Sequence, residues 1–348
     1  MQATPLSATA RAVIDRHVAA SGLADGVRVS QWPGAQSVYY DATGRLWVHN
    51  TSSRRQAAQE LYFYSRRSTV GTLTCSHPVK LWDLRRHLTV RETARLMGFP
   101  DEMVLSGLRQ YNKLFGNAVA VPCAAHAISA VVGVSERIRH IDLCAGIGGF
   151  AFAARQACRR VRCVGYSEVL VCAEDSYRTN FPEAPALGDA LQVRKWPACD
   201  LLTAGFPCQP FSSSNSRQRR ADHSDLDFYR IVLRSVKASG ATRIVLENVC
   251  QLQSVGRERY ERLMVALARL GFETTTAVLD ASDFGLPQER KRLFIAGRRD
   301  GGVLGRLGVP PAARKPTLAS ILERRRALPD SPRPAPRGRR RFSPRRSR

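Results

Sequence analysis

The sequence is short of acid. Its 348 residues hold 29 Asp and Glu against 54 Lys and Arg, a formal net charge of +25. That imbalance points to a polyanionic partner, most simply nucleic acid, although an arginine-rich proteome leaves the same imprint. Long apolar runs are also missing, and none reaches the roughly 20 residues needed to cross a bilayer. The nine cysteines include no Cys-x-x-Cys pair and are odd in number. This argues for reduced thiols in an intracellular protein and against a zinc site. Met1-Gln2-Ala3-Thr4-Pro5 lacks a charged stretch followed by an apolar block, so no secretory signal is expected. No internal repeat is present.

Apolar residues make up 44% of the chain, enough for a sizeable core, and the length suits one large domain with a smaller one. Ala8 to Ala20 reads as a helix. Val38-Tyr39-Tyr40 and Leu46-Trp47-Val48 read as strands around the turn Asp41-Ala42-Thr43-Gly44. Leu61 to Tyr64 is a third β-prone run, followed by Arg66 and Arg67. Aromatics interleaved with arginines suit nucleic acid, and a small sheet with a solvated basic edge would look the same. Thr89 and Glu92 form a capping-box pattern ahead of a helix that Gly98 and Pro100 stop. An apolar helix follows from about Cys123 to Val132.

From His140 the pattern becomes strand, glycine turn, helix: His140 to Cys144, Ala145 to Gly149, then Phe150 to about Cys158. Further strands are expected at 161–166, 201–204, 243–246, 275–279 and 293–296, with helices at 226–237 and 260–270 between some of them. Alternating β and α units predict an α/β fold, a doubly wound and mainly parallel sheet. After Gly301 periodicity fades, apart from a possible short helix at 317–328. The residues after Pro310 carry 13 Lys and Arg against 2 acids, and Ser331 to Arg348 has the composition of a disordered segment.

Four stretches can carry chemistry. In Ala204-Gly205-Phe206-Pro207-Cys208-Gln209-Pro210-Phe211-Ser212, glycine and prolines hold one thiol at the end of a buried strand. That suits a nucleophile at the mouth of a parallel sheet, and equally a turn around an inert cysteine. Gly146-Ile147-Gly148-Gly149 lets a ligand approach a helix start, and Glu168 stands 22 positions after Gly146, at the end of the next strand. A dinucleotide, S-adenosylmethionine or no ligand would each be compatible with that turn. Glu247 ends another strand, on the same sheet edge as Cys208. Arg290 and Arg292 share a strand face and suit a carbonyl oxygen or a phosphate, though a strand-end acid and a solvated basic edge are the simpler readings.

Taken in order, Asp142-Leu143-Cys144-Ala145-Gly146-Ile147-Gly148-Gly149-Phe150, Gly205 to Ser212, Glu247-Asn248-Val249 and Gln288-Glu289-Arg290-Lys291-Arg292 resemble the DNA (cytosine-5)-methyltransferases. So do Arg91-Glu92-x-x-Arg95-Leu96-x-Gly98-Phe99-Pro100 and Gly116-Asn117-Ala118-Val119. The resemblance covers about residues 70 to 300. In the family the last two motifs close the chain; here they precede the glycine turn, which resembles a circular permutation. The loop Ser213 to Arg220 also departs, since the family usually has glycine there.

The resemblance implies a Rossmann-like, S-adenosylmethionine-dependent methyltransferase with a small target-recognition domain. It divides the chain into an N-terminal segment with the target-recognition region (1–80), the permuted motifs (81–134), a catalytic and cofactor-binding domain (135–300) and a basic tail (301–348). It makes Cys208 the nucleophile, Glu247 the acid that holds the ring, and Arg292 with Arg290 the stabilisers of the carbonyl oxygen. Asp142, Gly146, Gly148, Gly149 and Phe150 would lie under the methyl donor, Glu168 on its ribose, and Asp189 and Asn117 around the same pocket. The expected partner is duplex DNA with the target base flipped out, inside the cell, for a monomer using no metal and no membrane. A relative acting on transfer RNA, or a non-catalytic DNA binder, are the alternatives.

Overall fold

The computed structural model describes residues 28–32, 35–40, 46–49, 63–75, 78–81, 83–84, 86–105, 110–206, 224–308 and 315–323. The expected helix at 8–20, Cys208, the loop at 213–220 and the chain beyond 323 lie outside the described residues.

Six short strands form a first sheet in chain order: β1 (Arg28–Trp32), β2 (Ala35–Tyr40), β3 (Leu46–His49), β4 (Phe63–Tyr64), β5 (Lys80–Leu81) and β6 (Arg86–His87). The expected strand pair around residues 41–44 is β2 and β3, antiparallel with Val38 opposite Val48. The sheet continues to His87, past the expected division at residue 80.

Three helices follow. In α1 (Val90–Leu96) the capping box is complete: Thr89 Oγ1 accepts from the Glu92 amide at 3.0 Å, and Glu92 Oε2 accepts from the Thr89 amide at 2.9 Å. Glu92 is fully buried but not alone, because Arg86 donates to both its oxygens at 2.6 and 2.7 Å. Those bonds pull the Glu92 pKa below the usual carboxylate value although burial, the largest influence, pushes it up. Then come α2 (Tyr111–Asn117) and α3 (Val121–Ser129).

The large sheet is built from β7 (Arg137–Leu143), β8 (Arg160–Ser167), β9 (Leu201–Gly205), β10 (Arg243–Asn248), β11 (Glu273–Asp280) and β12 (Lys291–Arg298), in the order β11-β12-β10-β9-β7-β8. The four strands β8, β7, β9 and β10 run parallel, and β12 and β11 pair antiparallel beyond them. The strands are joined through α4 (Gly149–Ala157), α5 (Val171–Asn180), α6 (Ser224–Ser239) and α7 (Arg257–Arg269).

Alternation of side chains divides the apolar residues between two layers. Ile138, Leu201 and Val245 face a core shared with α3 and α4, while Ile141, Leu202, Ile244 and Leu246 face a core shared with α6 and α7. Helices on both faces of a mainly parallel sheet make the doubly wound α/β fold. The first of these cores also takes in Val70, Leu88, Leu96, Phe99 and Phe115, so residues 64–134 pack as part of the same body.

The described residues beyond 301 stay on that body. Gly305 donates to Ala130, Leu318 to Ser68 and Ala319 to Arg66, all through the backbone. The short helix expected at 317–328 is a single 3-10 turn, Leu318–Ile321, whose two apolar ends are buried. Glu323 then caps the arrangement: Thr89 Oγ1 donates to its carboxylate at 2.7 Å and its amide donates to Glu92 at 3.0 Å. The sequence offered no periodicity here because the contacts are backbone bonds and two isolated apolar side chains.

Candidate active site

The parallel strands β7, β8, β9 and β10 end at one edge of the sheet, and antiparallel β12 begins there. A cavity of about 580 Å³ lies at that edge. Its two ends differ in chemistry.

One end is built on the glycine turn. The backbone leaves β7 through Cys144 at φ 52° and Gly146 at φ 55°, left-handed conformations that glycine adopts without strain. A Cβ placed on Gly146 would meet nothing within 4 Å, so that position opens into the cavity it lines. Glu168, at the end of β8, is fixed by three backbone donors: Gly146 at 2.7 Å, Val169 at 2.9 Å and Leu170 at 2.8 Å. A carboxylate has about four lone-pair sites, so one remains for a ligand hydroxyl. Its place at the start of α5 also favours the negative charge. Gly149, Phe150, Asp189 and Asn117 line the same cavity. Asp189 is held by the Leu191 amide at 2.9 Å, and Asn117 Oδ1 accepts from the Cys75 thiol at 2.8 Å.

The other end is built on β10 and β12. Glu247 pairs with Phe294 across the ladder, which puts Arg292, two residues earlier, on the same face. Arg292 Nε lies 3.3 Å from Glu247 Oε1, and both side chains are largely enclosed, 18% and 11% exposed. Burial raises the Glu247 pKa above the ordinary carboxylate value; Arg292 and then Arg290 oppose it without cancelling it. Gly205 and Phe206 line the cavity at the root of the segment that leads on to Cys208 in the sequence. Asn248 fixes that root, donating to the Phe206 carbonyl at 3.2 Å while accepting from the Val249 amide at 2.8 Å.

Three expected site residues sit differently. Asp142 is not on the cavity wall. It is wholly buried beneath the turn, where Thr203 Oγ1 donates to it at 2.9 Å and lies 2.8 Å from His140 Nε2. Gly148 is the residue before α4; a Cβ there would strike the Phe181 ring at 2.6 Å, so its glycine serves packing. Arg290 reaches the wall, but its two terminal nitrogens are committed to the carbonyls of Leu73 at 3.2 Å, Gly116 at 2.9 Å and Ala118 at 2.8 Å. It ties residues 73–118 to the start of β12. Burial, reinforced by Arg292, holds its pKa below the usual arginine range.

Removing that tie would strand buried carbonyls, each costing about 1–3 kcal/mol. Arg290→Met is therefore expected to destabilise the fold by about 3–5 kcal/mol, read from urea unfolding, with the midpoint falling and the slope unchanged.

Sequence reasoning missed two residues that shape the site. Gln288, fully buried, accepts from the Leu73 amide at 2.9 Å and donates to the Leu96 carbonyl at 3.0 Å. Gln288 and Asn248 each entered the sequence reading only as members of a motif, with no role of their own. A buried amide beside a strand end was the available signal in both cases, since such groups are kept only where partners exist. Among the described residues no cluster of His, Cys, Asp and Glu could hold a metal ion. No described helix is long and apolar enough to cross a membrane.

The cavity therefore joins a glycine-floored, carboxylate-edged pocket to an acid–guanidinium pair that can grip a planar polar ring. Comparison with known proteins bears on what fills it. The family model described as C-5 cytosine-specific DNA methylase matches residues 13–132 and 138–325. The type II methyltransferase M.NlaX of Neisseria lactamica is 41% identical over 162 residues, 45% of this chain and 51% of that protein. M.BanI of Aneurinibacillus aneurinilyticus is 34% identical over 166 residues, 46% of this chain and 38% of that protein. The chain thus spans about half the length, or less, of these relatives. The crystal structure of Spodoptera frugiperda DNMT2 aligns with TM-score 0.39 and 21% identity, covering 49% of this chain and 57% of that one.

Proposed function

The chain belongs to the C-5 cytosine-specific DNA methylase family, and from that premise we propose that it transfers a methyl group from S-adenosylmethionine to carbon 5 of a cytosine flipped out of duplex DNA, inside the cell. The observation that carries this reading is the Glu247–Arg292 pair, 3.3 Å apart, in the same cavity as the glycine turn.

The pocket around Gly146 fits the donor: an open glycine floor, a fixed carboxylate at Glu168 with a lone pair to spare, and Asp189 across from it. Bound there, S-adenosylmethionine supplies an electrophilic methyl on a sulfonium. The protein's own part is to make carbon 5 nucleophilic. The Cys208 thiolate adds to carbon 6 of the ring, and the displaced electron pair moves onto the ring. Glu247, whose pKa burial raises, gives a proton to ring nitrogen 3, and Arg292 holds the carbonyl oxygen on which charge develops. After methylation a base takes the carbon-5 proton, the returning electron pair re-forms the 5,6 double bond and expels the thiolate, and nitrogen 3 gives its proton back to the Glu247 carboxylate. Arg290 acts by positioning Arg292 and the wall at Gly116 to Ala118.

The order of the motifs is read as a circular permutation. Two features support it: Val119, from the early segment, packs against Gly149 of the turn, and Gln288 and Arg290 clasp that segment to β12. Such contacts depend on the packed body and not on where the chain is opened.

Tritiated S-adenosylmethionine, mixed duplex DNA and bulk transfer RNA test the assignment in parallel reactions. Label is expected in DNA, as 5-methylcytosine after hydrolysis. Label in transfer RNA alone, or in neither, would replace this reading with the RNA enzyme or the non-catalytic binder.

A further inference from the structure

The end of the sheet away from the cavity carries a feature that methyl transfer does not use. At the start of β7 and of the edge strand β8, Arg137 is registered against Arg160, and Arg139 against Arg162. The four residues lie on one face, because partners in a parallel ladder share a face and each pair of positions is two residues apart. All four are exposed, as is the adjoining Arg159. Like charges directly opposite one another on a sheet are destabilising. Only Arg139 has a counter-ion, Asp200 at 2.8 Å; Arg137, Arg159, Arg160 and Arg162 have none among the described residues. Between residues 134 and 162 the only acids are Glu136, committed to Arg243, and the buried Asp142.

Edge strands often carry charge simply to block pairing with another sheet. That need is met by one or two side chains on the edge strand and does not call for matched arginines on the inner neighbour. Successive arginines on each strand stand about 6.6 Å apart, a spacing suited to consecutive phosphates. Nor does the face belong to the surface that surrounds an extruded base: β7 spans seven residues and β8 eight, so the patch lies about 13–23 Å from the cavity edge. Duplex DNA, with a persistence length of about 150 base pairs, does not fold back over such a distance.

We propose that Arg137, Arg139, Arg160 and Arg162 form a second, sequence-independent phosphate-binding face that holds a separate duplex segment while the cavity engages its target. The choice of DNA as occupant rests on the function proposed above. Each neutralised phosphate contributes about −0.9 to the log–log salt slope of binding.

The test loads the full-length chain on a biotinylated duplex and adds a fluorescent duplex of unrelated sequence. The wild type is expected to capture the second duplex, steeply less as salt rises. Arg137→Gln/Arg160→Gln/Arg162→Gln is expected to lower that slope by about 2–3, with a melting temperature equal to or above wild type because repulsion is relieved. If the triple variant does not fold, Arg160→Gln alone should lower the slope by about 0.9. No capture by the wild type, or an unchanged slope in a folded variant, overturns the proposal. So does loss, in the variant, of binding to anionic lipid vesicles with duplex capture intact. Because capture needs no turnover, a chain that methylates nothing but shows the slope change keeps this face and loses the methyltransferase reading.

Discussion

Glu247→Gln is expected to lower the methyl-transfer rate by about 100- to 10,000-fold, the range associated with losing a positioned acid. Glutamine keeps the shape and still donates a hydrogen bond, so the donor pocket around Gly146 and Glu168 should bind S-adenosylmethionine as before. What it cannot do is transfer a proton. The pH dependence separates these roles. Burial raises the Glu247 pKa in the folded chain, so the neutral acid is favoured below the ordinary carboxylate value of about 4.3 and is lost only as pH rises through the higher folded value. The wild-type rate should therefore fall on the alkaline side as Glu247 ionises, while the Gln variant, which has nothing to ionise there, should lose that limb. The same sign holds for stability: keeping Glu247 neutral favours the fold below about 4.3, and that contribution fades as pH climbs through the folded value. A Gln variant within a few-fold of wild type, with the alkaline limb intact, would remove Glu247 from the chemistry.

Cys208→Ser is expected to be the most damaging change, abolishing turnover to below about a thousandth of wild type. A thiolate is the reactive nucleophile, and a serine hydroxyl in the same place ionises far less readily. The donor pocket is assembled from β7, β8 and the turns that follow them, so calorimetry should find S-adenosylmethionine binding near normal. Retained turnover, or turnover lost together with donor binding, would mean that the thiol has another role.

How much of this was legible in the chain differs from element to element. The large sheet was readable because its strands are continuous apolar runs such as Leu201-Leu202-Thr203-Ala204, buried on both faces by helices with clear periodicity. Strand ends were misplaced by up to three residues, at the start of β7, and by two at β12, where Lys291 and Arg292 continue the ladder with polar side chains. The capping box at Thr89 was legible since it is local. The docking of 315–323 was not, being made of backbone bonds to Arg66 and Ser68 some 250 residues away in sequence. Within the site, strand-end positions put Glu168 and Glu247 on one edge because parallel strands end together, whereas Arg292 joins them because antiparallel β12 begins there. The division of labour between Arg290 and Arg292 could not be read that way. Both are arginines on one motif, and the carbonyls of Leu73, Gly116 and Ala118 distinguish the clasp from the guanidinium that pairs with Glu247. Asp142 and Gly148 were absorbed into the glycine motif by proximity in sequence, although one supports the turn from below and the other seats a phenyl ring.

The central claim is that Cys208, two positions after the Phe206 carbonyl that Asn248 holds, bonds to the ring which Glu247 and Arg292 hold. Its most direct test uses duplex DNA bearing 5-fluorocytosine at the methylated position, together with S-adenosylmethionine, followed by denaturing electrophoresis and peptide mass spectrometry. Fluorine cannot leave as a proton does, so the account predicts a DNA–protein adduct that survives denaturation and maps to Cys208. Methylation of ordinary cytosine with no adduct on the fluorinated base, or an adduct mapped to a different cysteine, would contradict it.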